Sequence, residues 1–452
     1  MAGLRRSRRN LRHPVDLCIN FRRFVHRNWL ICAWEFAMLI QEGESEVKYF
    51  PRWLESRITD VLRSHPVAVL TGPRQVGKST LLERAESLKE WKYITLDDVD
   101  ALAQAVEDPK GLFWEDKPTI VDEVQRCPEL LLAIKYIVDK SNRRRRFILS
   151  GSGNISLRKS PRETLAGRAK YLHLTGFAYR EERGLGPDGI LDTLWKGGGI
   201  RSKDVKPPAD IQKLVWRGSL PGIVLARDDN IALERLSGYI DTYLQRDIQD
   251  LVNIRHPQNF RLLMGSLSKA TGWESVQEEL SKTCGESRSN VSRYMSLLKD
   301  TNLLYELKGY AAKNEKAYRQ SKYYWFDSGS ACFLAGINSP SGLKNPGVRG
   351  RYFENYILHQ ILSWGALQII QPEIFYWKPK NSEGEVDFVL LSAGRVLGVE
   401  VKSSSRLGFR DTKSMRAFMK SHPEAEKGII VYTGKSVYPV ASDIYAVPWN
   451  VL

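Results

Sequence analysis

A glycine-rich segment at Gly72–Ser79, with the sequence GPRQVGKS, is the strongest structural signal in this chain. It follows a short apolar run and precedes a predicted helix, Thr80–Leu88. In the pattern GxxxxGK[ST], the glycines let backbone amides surround phosphate oxygens, the lysine reaches the β- and γ-phosphates, and the hydroxyl ligates Mg²⁺. The helix dipole adds to anion binding. The predicted nucleotide-binding residues are Gly72, Pro73, Arg74, Gln75, Val76, Gly77, Lys78, Ser79 and Thr80.

A second apolar run ends in two acids, at Thr119–Glu123. An acid at the end of a strand neighbouring such a loop typically completes a nucleotide site. We therefore predict that Asp122 and Ser79 hold Mg²⁺. Glu123 is predicted to polarise the attacking water, and Lys78 to stabilise charge on the phosphates. The predicted cofactors are ATP and Mg²⁺.

Short apolar runs alternate with helical stretches over residues 67–177. This alternation is typical of an α/β fold in which helices cover both faces of a parallel sheet. No GxGxxG follows the first run, which disfavours a dinucleotide-binding fold. The predicted strands are Val67–Gly72, Tyr93–Asp98, Thr119–Glu123, Phe147–Ser152 and Tyr171–Phe177.

Three weaker candidates lie near these strands. Ser152 or Asn154 is placed to sense the γ-phosphate, and Arg168 is a candidate arginine finger, acting within the chain or toward a neighbouring subunit. The second case requires a homo-oligomer. The alternative for each is a polar surface residue. The run Arg143–Arg146 is either a solvated basic loop or a contact to a nucleic-acid backbone.

The C-terminal part contains a hairpin that carries acidic residues. If its turn is centred on residues 393–394, Asp387 lies opposite Glu400, and Lys402 shares the face of Glu400. Opposed carboxylates repel, and Mg²⁺ or Mn²⁺ would relieve the repulsion. With Glu354 from the preceding helix as a further ligand or water-positioning group, this set suits metal-assisted phosphodiester hydrolysis. The alternative is a solvent-facing hairpin with a Glu400–Lys402 ion pair.

Between these regions, Phe260–Tyr310 resembles a helix-turn-helix with a wing. One helix is predicted at Ser275–Gly285, and Ser287 is predicted to cap a second helix that runs through Asp300. The alternative to DNA binding is a module that only packs within the protein. The candidates to face DNA are Arg288, Ser289, Asn290 and Arg293.

The amino-acid composition excludes several classes of protein. Of 452 residues, 42% are hydrophobic and 27% charged, which excludes disordered, collagenous and disulfide-scaffold proteins. No apolar run approaches the roughly 20 residues that a membrane span needs. The five cysteines are scattered and form no CxxC pair, which disfavours a zinc site and predicts a reducing, cytoplasmic location.

The formal charge is +16, and it is concentrated near the start of the chain. Residues 1–34 hold eight arginines and one acid. Such a surplus favours nucleic acid or an anionic membrane surface as partner. The Arg-rich beginning is either a nucleic-acid arm, a transit-like segment, or the product of an upstream translation start, with Met38 as the later start.

Taken in order, a set of motifs resembles a prokaryotic family. These are the AAA-type ATPases that carry a C-terminal domain of unknown function related to PD-(D/E)XK nucleases. The resemblance spans about residues 49–452. It implies an ATP site of Lys78, Ser79, Asp122 and Glu123, a winged-helix region, and a restriction-endonuclease-like domain with a core of Glu354, Asp387, Glu400 and Lys402. The motifs are YFPRWLE, TGPRQVGKST, YITLDD, IVDEVQR, FILSGS, LAGR, RGSLPG, YLQRDI, YYWFDSG, GRYFENYIL, EVDFVL and VEVKSS.

These observations predict an enzyme that hydrolyses ATP and acts on nucleic acid, with DNA favoured, through a metal-dependent nuclease-like domain. The alternative is a nucleotide-driven switch whose end domain binds a partner without cutting. The predicted regions are a basic extension at 1–48 that is disordered or untranslated, an ATPase domain at 49–183, a Gly/Pro-rich loop or linker at 184–210, a helical and winged-helix region at 211–320, and the nuclease-like domain at 321–452.

Overall fold

A computed structural model describes residues 49–151, 164–205, 210–242, 254, 256–274, 277–311, 320–379 and 384–452. The expectations for residues 1–48, Ser152 and Asn154 lie outside this part of the chain. Within it, no helix is both long enough and apolar enough to span a bilayer. The elements described below belong to one unit, Phe50–Leu452.

The first sheet has five strands in the order β2-β3-β4-β1-β5, all paired in parallel. The strands are β1 (Val67–Thr71), β2 (Lys92–Thr95), β3 (Thr119–Asp122), β4 (Phe147–Ser150) and β5 (Ala169–His173). The helices around it are Leu54–Ser64, Lys78–Arg84, Val99–Glu107, Leu130–Lys140 and Tyr179–Glu182, with short 3-10 turns at Glu86–Leu88, Gly111–Phe113 and Val124–Arg126. The predicted parallel sheet is confirmed.

Side chains on β1 alternate between two hydrophobic cores. Leu70 packs in the core that contains Ile58, from the helix before β1. Val69 packs in the core that contains Ile134, from the helix before β4. Both faces of the strand are therefore covered, which explains why β1 is apolar throughout rather than alternating with polar residues.

A group of helices follows the first sheet. Its helices are Ile190–Trp195, Ile211–Arg217, Pro221–Val224, Asp229–Thr242, Pro257–Lys269, Gln277–Cys284, Arg288–Asp300 and Ser328–Leu334. The Ser287 hydroxyl accepts a hydrogen bond from the Asn290 amide at 3.2 Å, so the predicted cap at the start of the Arg288–Asp300 helix is present. The two predicted helices of the helix-turn-helix are present as local structure.

The second sheet has nine strands in the order β6-β13-β14-β12-β11-β10-β9-β7-β8. The strands are β6 (Lys203–Asp204), β7 (Leu304–Gly309), β8 (Lys322–Trp325), β9 (Glu373–Trp377), β10 (Val386–Ser392), β11 (Arg395–Lys402), β12 (Lys427–Tyr432), β13 (Ser436–Ala441) and β14 (Ile444–Pro448). The remaining helices are Pro346–Gly365 and Lys413–Ser421, with 3-10 turns at Pro340–Leu343, Phe409–Thr412 and Trp449–Val451.

Two segments differ from their prediction. The segment we assigned to a wing contributes β7, which pairs in parallel with β9 and so extends the second sheet. The segment predicted as a linker, residues 184–210, contains the Ile190–Trp195 helix, and its β6 pairs with β13. Trp195 anchors that helix by edge-to-face contact with Trp364, at 5.4 Å between ring centroids. The many glycines and prolines of this segment led to the linker prediction and outweighed apolar residues such as Trp195.

The hairpin formed by β10 and β11 has the predicted register. Phe388 pairs with Val399, and Ser392 pairs with Arg395. The two turn residues, Ala393 (φ 48°) and Gly394 (φ 80°), both have positive φ, as a two-residue turn that matches strand twist requires.

Candidate functional site

The phosphate loop joins β1 to the Lys78–Arg84 helix and depends on two glycines with positive φ. Gly72 has φ 148° and Gly77 has φ 93°. A Cβ atom on Gly72 would lie 2.2 Å from the carbonyl oxygen of Leu174, in the segment after β5. No larger residue fits there without moving backbone, so the loop is held against the carboxyl end of β5.

Lys78 is buried within the curve of the loop. Its ammonium donates to the carbonyl oxygens of Gly72, at 3.0 Å, and Pro73, at 2.8 Å. A buried cation held beside inward-turning backbone is the arrangement that anion binding requires. Of the predicted loop residues, the structure thus brings Gly72, Pro73, Gly77 and Lys78 together.

Asp122 lies at the end of β3, facing the first turn of the Lys78–Arg84 helix. The Ser79 hydroxyl donates to Asp122 Oδ2 at 2.6 Å. Tyr93, from β2, donates its hydroxyl to the same oxygen at 2.8 Å. A serine hydroxyl and a buried carboxylate side by side are the hard oxygen donors that Mg²⁺ prefers, so the residues present fit the predicted ion. Sequence reasoning missed Tyr93, although its place on the strand next to β3 was a usable signal.

Glu123 follows Asp122 in a left-handed backbone conformation, with φ 55°. This conformation costs a non-glycine residue roughly 1–3 kcal/mol and is often retained at functional sites. Burial raises the pKa of Glu123, and Gln125 donates a hydrogen bond to its carboxylate. A carboxylate with a raised pKa suits the predicted role of accepting a proton from water.

Arg52 is a further residue that sequence reasoning missed. Its guanidinium donates to the carbonyl oxygens of Val76, at 2.7 Å, and Thr175, at 2.8 Å. Its Nε lies 3.1 Å from the carboxylate of Glu181, and both side chains are buried. Arg52 therefore fastens the phosphate loop to the segment after β5.

The candidate arginine finger has a partner in its own chain. The Arg168 guanidinium donates through Nε and Nη2 to the two carboxylate oxygens of Asp139, at 2.7 Å each. This bidentate pair fixes Arg168 against the Leu130–Lys140 helix. A catalytic role for Arg168 stays a prediction, and it would require this pair to open.

A second cluster of acidic residues is centred on the β10–β11 hairpin. Asp387 Oδ2 accepts a hydrogen bond from the Val401 amide at 2.7 Å. The Glu400 side chain is 2% exposed, and its Oε1 lies 2.7 Å from Lys402 Nζ. Its other oxygen, Oε2, is buried without a hydrogen-bond partner. An orphaned buried carboxylate oxygen is costly, which indicates a site that is completed by another group.

Glu354 joins this cluster from the Pro346–Gly365 helix. The Tyr324 hydroxyl, from β8, donates to Glu354 Oε1 at 2.5 Å. Burial, and secondarily the charge of Asp387, raise the pKa of Glu354 to about 8. Burial raises the pKa of Asp387 to about 6 and that of Glu400 to about 7. Three neighbouring carboxyls whose pKa values are all raised indicate a functional site.

Two more charged residues complete the cluster and were missed from sequence. Lys322, at the start of β8, is 3% exposed and forms an ion pair with Glu385. Burial lowers the pKa of Lys322, but the charges of Glu354, Glu385 and Asp387 outweigh it and raise the pKa above its usual value. A buried lysine at this position therefore balances the carboxylates.

The fit of the cluster to a divalent cation is partial. Asp387 and Glu400 supply hard oxygen donors, one of them unpartnered. Lys322 and Lys402, however, already neutralise part of their charge. Over the residues that the structure describes, no group of three His, Cys, Asp or Glu side chains is arranged to hold a metal ion. A cation here would therefore rely on these two carboxylates, with water supplying its other ligands.

Without divalent cations, Glu354→Gln is expected to stabilise the protein at pH 8 but not at pH 4. The unfolded carboxyl ionises near pH 4.5, whereas the folded one stays protonated up to about 8. Stability contributed by the protonated group is therefore lost as pH rises through this window, and glutamine avoids the loss. Glutamine also retains an acceptor for Tyr324. We expect a gain of a few kcal/mol in the free energy of unfolding, measured by urea denaturation at both pH values. An equal effect at pH 4 and 8 would contradict it.

Comparison with known proteins divides the chain into three matched segments. Residues 64–182 match the family described as AAA domain. This segment is an AAA-type P-loop ATPase domain. Residues 208–341 and 349–452 match two families that are each described as a domain of unknown function, DUF8612 and DUF4143.

Similarity to other proteins extends beyond the ATPase domain. An uncharacterized protein of Mycobacterium tuberculosis is 29% identical over 397 residues, which are 87% of this chain and 82% of that protein. An uncharacterized protein of Methanocaldococcus jannaschii is 28% identical over 192 residues, 41% of this chain and 40% of that one. Among solved structures, the Walker-type ATPase of Pyrococcus abyssi is 19% identical, with a TM-score of 0.41, covering 63% of this chain and 96% of that one.

Proposed function

We propose that this protein is an ATP-hydrolysing enzyme that acts on nucleic acid, and that its ATP site controls metal-dependent phosphodiester hydrolysis at the second cluster. The observation that carries the proposal is a set of three carboxyls with raised pKa values beside two lysines: Asp387 and Glu400, which are buried, and Glu354, which is half-buried. The AAA domain supports the ATP half, and the formal charge of +16 supports a polyanionic partner.

At the ATP site, each side chain has a role set by its contacts. The Lys78 ammonium donates to two neutral carbonyl oxygens, and phosphate oxygens would replace them with negatively charged acceptors. Ser79 and Asp122 would hold Mg²⁺, which supplies charge neutralisation at the β- and γ-phosphates. Glu123, with its raised pKa, accepts the proton of the attacking water.

At the second cluster, the residues divide the work of phosphodiester cleavage. Asp387 and Glu400 would hold Mg²⁺ or Mn²⁺, which acts as a Lewis acid when bound. Lys402 stabilises charge on the phosphate. Glu354 has a pKa of about 8 and is protonated near neutral pH, so it can hold or donate a proton while its Oε1 accepts the hydrogen bond of the Tyr324 hydroxyl.

One helix connects the two sites. Pro346–Gly365 carries Glu354 in its middle, while Gln360 accepts a hydrogen bond from the Tyr179 amide at 2.7 Å. Further along, the Ser363 hydroxyl lies 2.8 Å from that of Thr175. The helix is therefore fixed to the segment after β5, the same segment that Arg52 joins to the phosphate loop. This is a contiguous physical route for coupling.

A cavity lies beside this route. It measures about 330 Å³ and is lined by Pro73 from the phosphate loop, His173 from β5, and Leu362 from the helix. Burial lowers the pKa of His173 to about 4, with the charge of Lys78 adding to the effect, so the ring is neutral at physiological pH. The wall also includes the Lys299–Glu306 ion pair, at 2.8 Å, so charged as well as apolar groups line this space.

The reaction itself is tested with the full chain. Plasmid DNA, single-stranded DNA and single-stranded RNA are incubated with the protein in Mg²⁺ or Mn²⁺, with EDTA as the control. We expect cleavage only with metal, and its loss in Glu400→Gln, which keeps the shape of the side chain but removes the charge. Cleavage that survives EDTA, or that Glu400→Gln leaves unchanged, would reject the assignment of the second cluster.

The second candidate function is a nucleotide-driven switch that binds a partner without cutting it. It is favoured by one observation, that the described acidic residues are not arranged in a preformed metal group. Calorimetric titration of the nucleotide-free full chain with Mn²⁺ separates the two functions. Uptake that Asp387→Asn removes supports the nuclease, and no uptake at this cluster supports the switch.

A further inference from the structure

Two exposed aromatic rings, each stacked with an arginine, lie in the segments that border the second cluster. Trp273 is 55% exposed, and the Arg351 guanidinium carbon lies 3.8 Å from its ring centroid. Phe409 is 60% exposed, and the Arg416 guanidinium carbon lies 4.2 Å from its ring. Rings of this size are normally buried to a large extent, and leaving them in water forgoes substantial stabilisation.

Trp273 is directly connected to the acidic residues. The preceding residue, Gly272, is so close to Glu354 that a Cβ atom there would lie 3.4 Å from Glu354 Oε1. Arg351 is one helical turn before Glu354, on the same face of the Pro346–Gly365 helix. Both members of the pair are therefore close to the cluster. Trp273 follows Gly272, which lies beside Glu354, and Arg351 precedes Glu354 on the same helix.

Phe409 belongs to the segment that leaves the cluster after β11. Burial lowers the pKa of Lys402, but nearby carboxylates, Asp411 among them, outweigh it and raise the pKa above its usual value. Asp411 shares the short turn Phe409–Thr412 with Phe409, so the turn that carries this ring lies near Lys402 of the cluster. A second exposed ring–arginine pair, Phe409–Arg416, is therefore carried by a segment that borders the cluster.

Other exposed rings in the described residues differ in their surroundings. Trp114 and Tyr136 lie in the ATPase domain, and lysines rather than arginines approach them. A lysine ammonium is a point charge, whereas the planar guanidinium of arginine stacks on rings and bases. Trp114 therefore provides a matched control for Trp273.

We propose that the Trp273–Arg351 pair binds an unpaired base of a single-stranded nucleic acid and places the adjoining phosphodiester at the second cluster. Bases stack on aromatic rings and on guanidinium planes whatever their sequence, but only when they are not enclosed in a duplex. Arg351 adds positive charge for the backbone. The substrate class is thus single strands or frayed ends. The binding step stands alone, and the cleavage that follows rests on the proposed function.

The test measures binding without cleavage. Fluorescence anisotropy in EDTA, at one fixed salt concentration, compares labelled 20-nucleotide single strands of DNA and RNA with a closed duplex. Trp273→Ala is expected to weaken single-strand binding at least about fivefold and duplex binding less than twofold. Trp273→Phe should retain most of the affinity, and Trp114→Ala all of it. The DNA and RNA arms show which strand is preferred.

Several results would overturn the proposal. These are no single-strand binding at all, an unchanged Kd in Trp273→Ala, or equal losses for single strand and duplex. An unchanged Kd in Trp273→Ala would favour a protein, rather than a nucleic acid, as the partner of the exposed rings. Failure of this inference and failure of the proposed function give different results. Binding that depends on Trp273 without any cleavage rejects the nuclease alone, whereas cleavage with an unchanged Kd in Trp273→Ala rejects this inference alone.

Discussion

Lys78→Ala is expected to lower the kcat of ATP hydrolysis at least about 100-fold, because the loop loses the buried cation that meets charge developing on the phosphates. Removal of a single preorganised donor of this kind typically costs 10²–10³ in rate. The fold should tolerate the change, since alanine favours the helix that begins at this residue. The measurement is phosphate release under saturating ATP and Mg²⁺.

A matched lysine controls for the loss of charge. Lys89 is exposed and pairs on the surface with Glu86, so Lys89→Ala should leave hydrolysis within about twofold. Thermal unfolding of both variants identifies any general destabilisation. If Lys78→Ala kept more than a tenth of the wild-type kcat, the loop would not be the hydrolytic site.

The second large effect is expected in Asp387→Asn, which should lower nucleic-acid cleavage on the order of 10³-fold or more. A bound metal contributes several kcal/mol to such a reaction, and each 1.36 kcal/mol is tenfold in rate. Asparagine retains the acceptor for the Val401 amide, so the local hydrogen bond is kept. The measurement is the single-turnover rate of cleavage in Mn²⁺.

Asp387→Asn should also show that its loss of activity does not result from unfolding. The pKa of Asp387 is raised to about 6, so stability is lost as pH rises from the unfolded value near 3.8 to about 6. Metal-free Asp387→Asn should therefore be at least as stable as the wild type at pH 8. Asp443→Asn is the control, because Asp443 is exposed and asparagine accepts its positive φ. Equal loss of cleavage in both variants would contradict the role of Asp387.

Local patterns were enough to predict much of the fold and part of each site. The phosphate loop and Asp122 follow from strand–loop–helix spacing. The pairing of Phe388 with Val399 follows from the two-residue period of a strand and a turn at Ala393–Gly394. In each case, the residues that determine the geometry lie within one motif or one hairpin.

The residues that were missed come from distant parts of the chain. Arg52 reaches the Thr175 carbonyl across 123 positions, and no local pattern marks that contact. Lys322 joins the acidic cluster only because β7 and β8 extend the second sheet, where we had expected a separate wing. Long-range register of this kind is set by tertiary packing, which local periodicity does not encode. The exposure of Trp273 is likewise a property of packing.

Control of the second cluster by ATP is tested by the rate of nucleic-acid cleavage measured with and without ATP. We predict metal-dependent cleavage by the wild type whose rate changes at least about fivefold when ATP is added, the lower end of typical coupling between sites. Lys78→Ala should respond to ATP less than twofold, and Asp387→Asn should not cleave. Intact ATP hydrolysis with no cleavage under any condition, or equal cleavage by Asp387→Asn, would contradict the account.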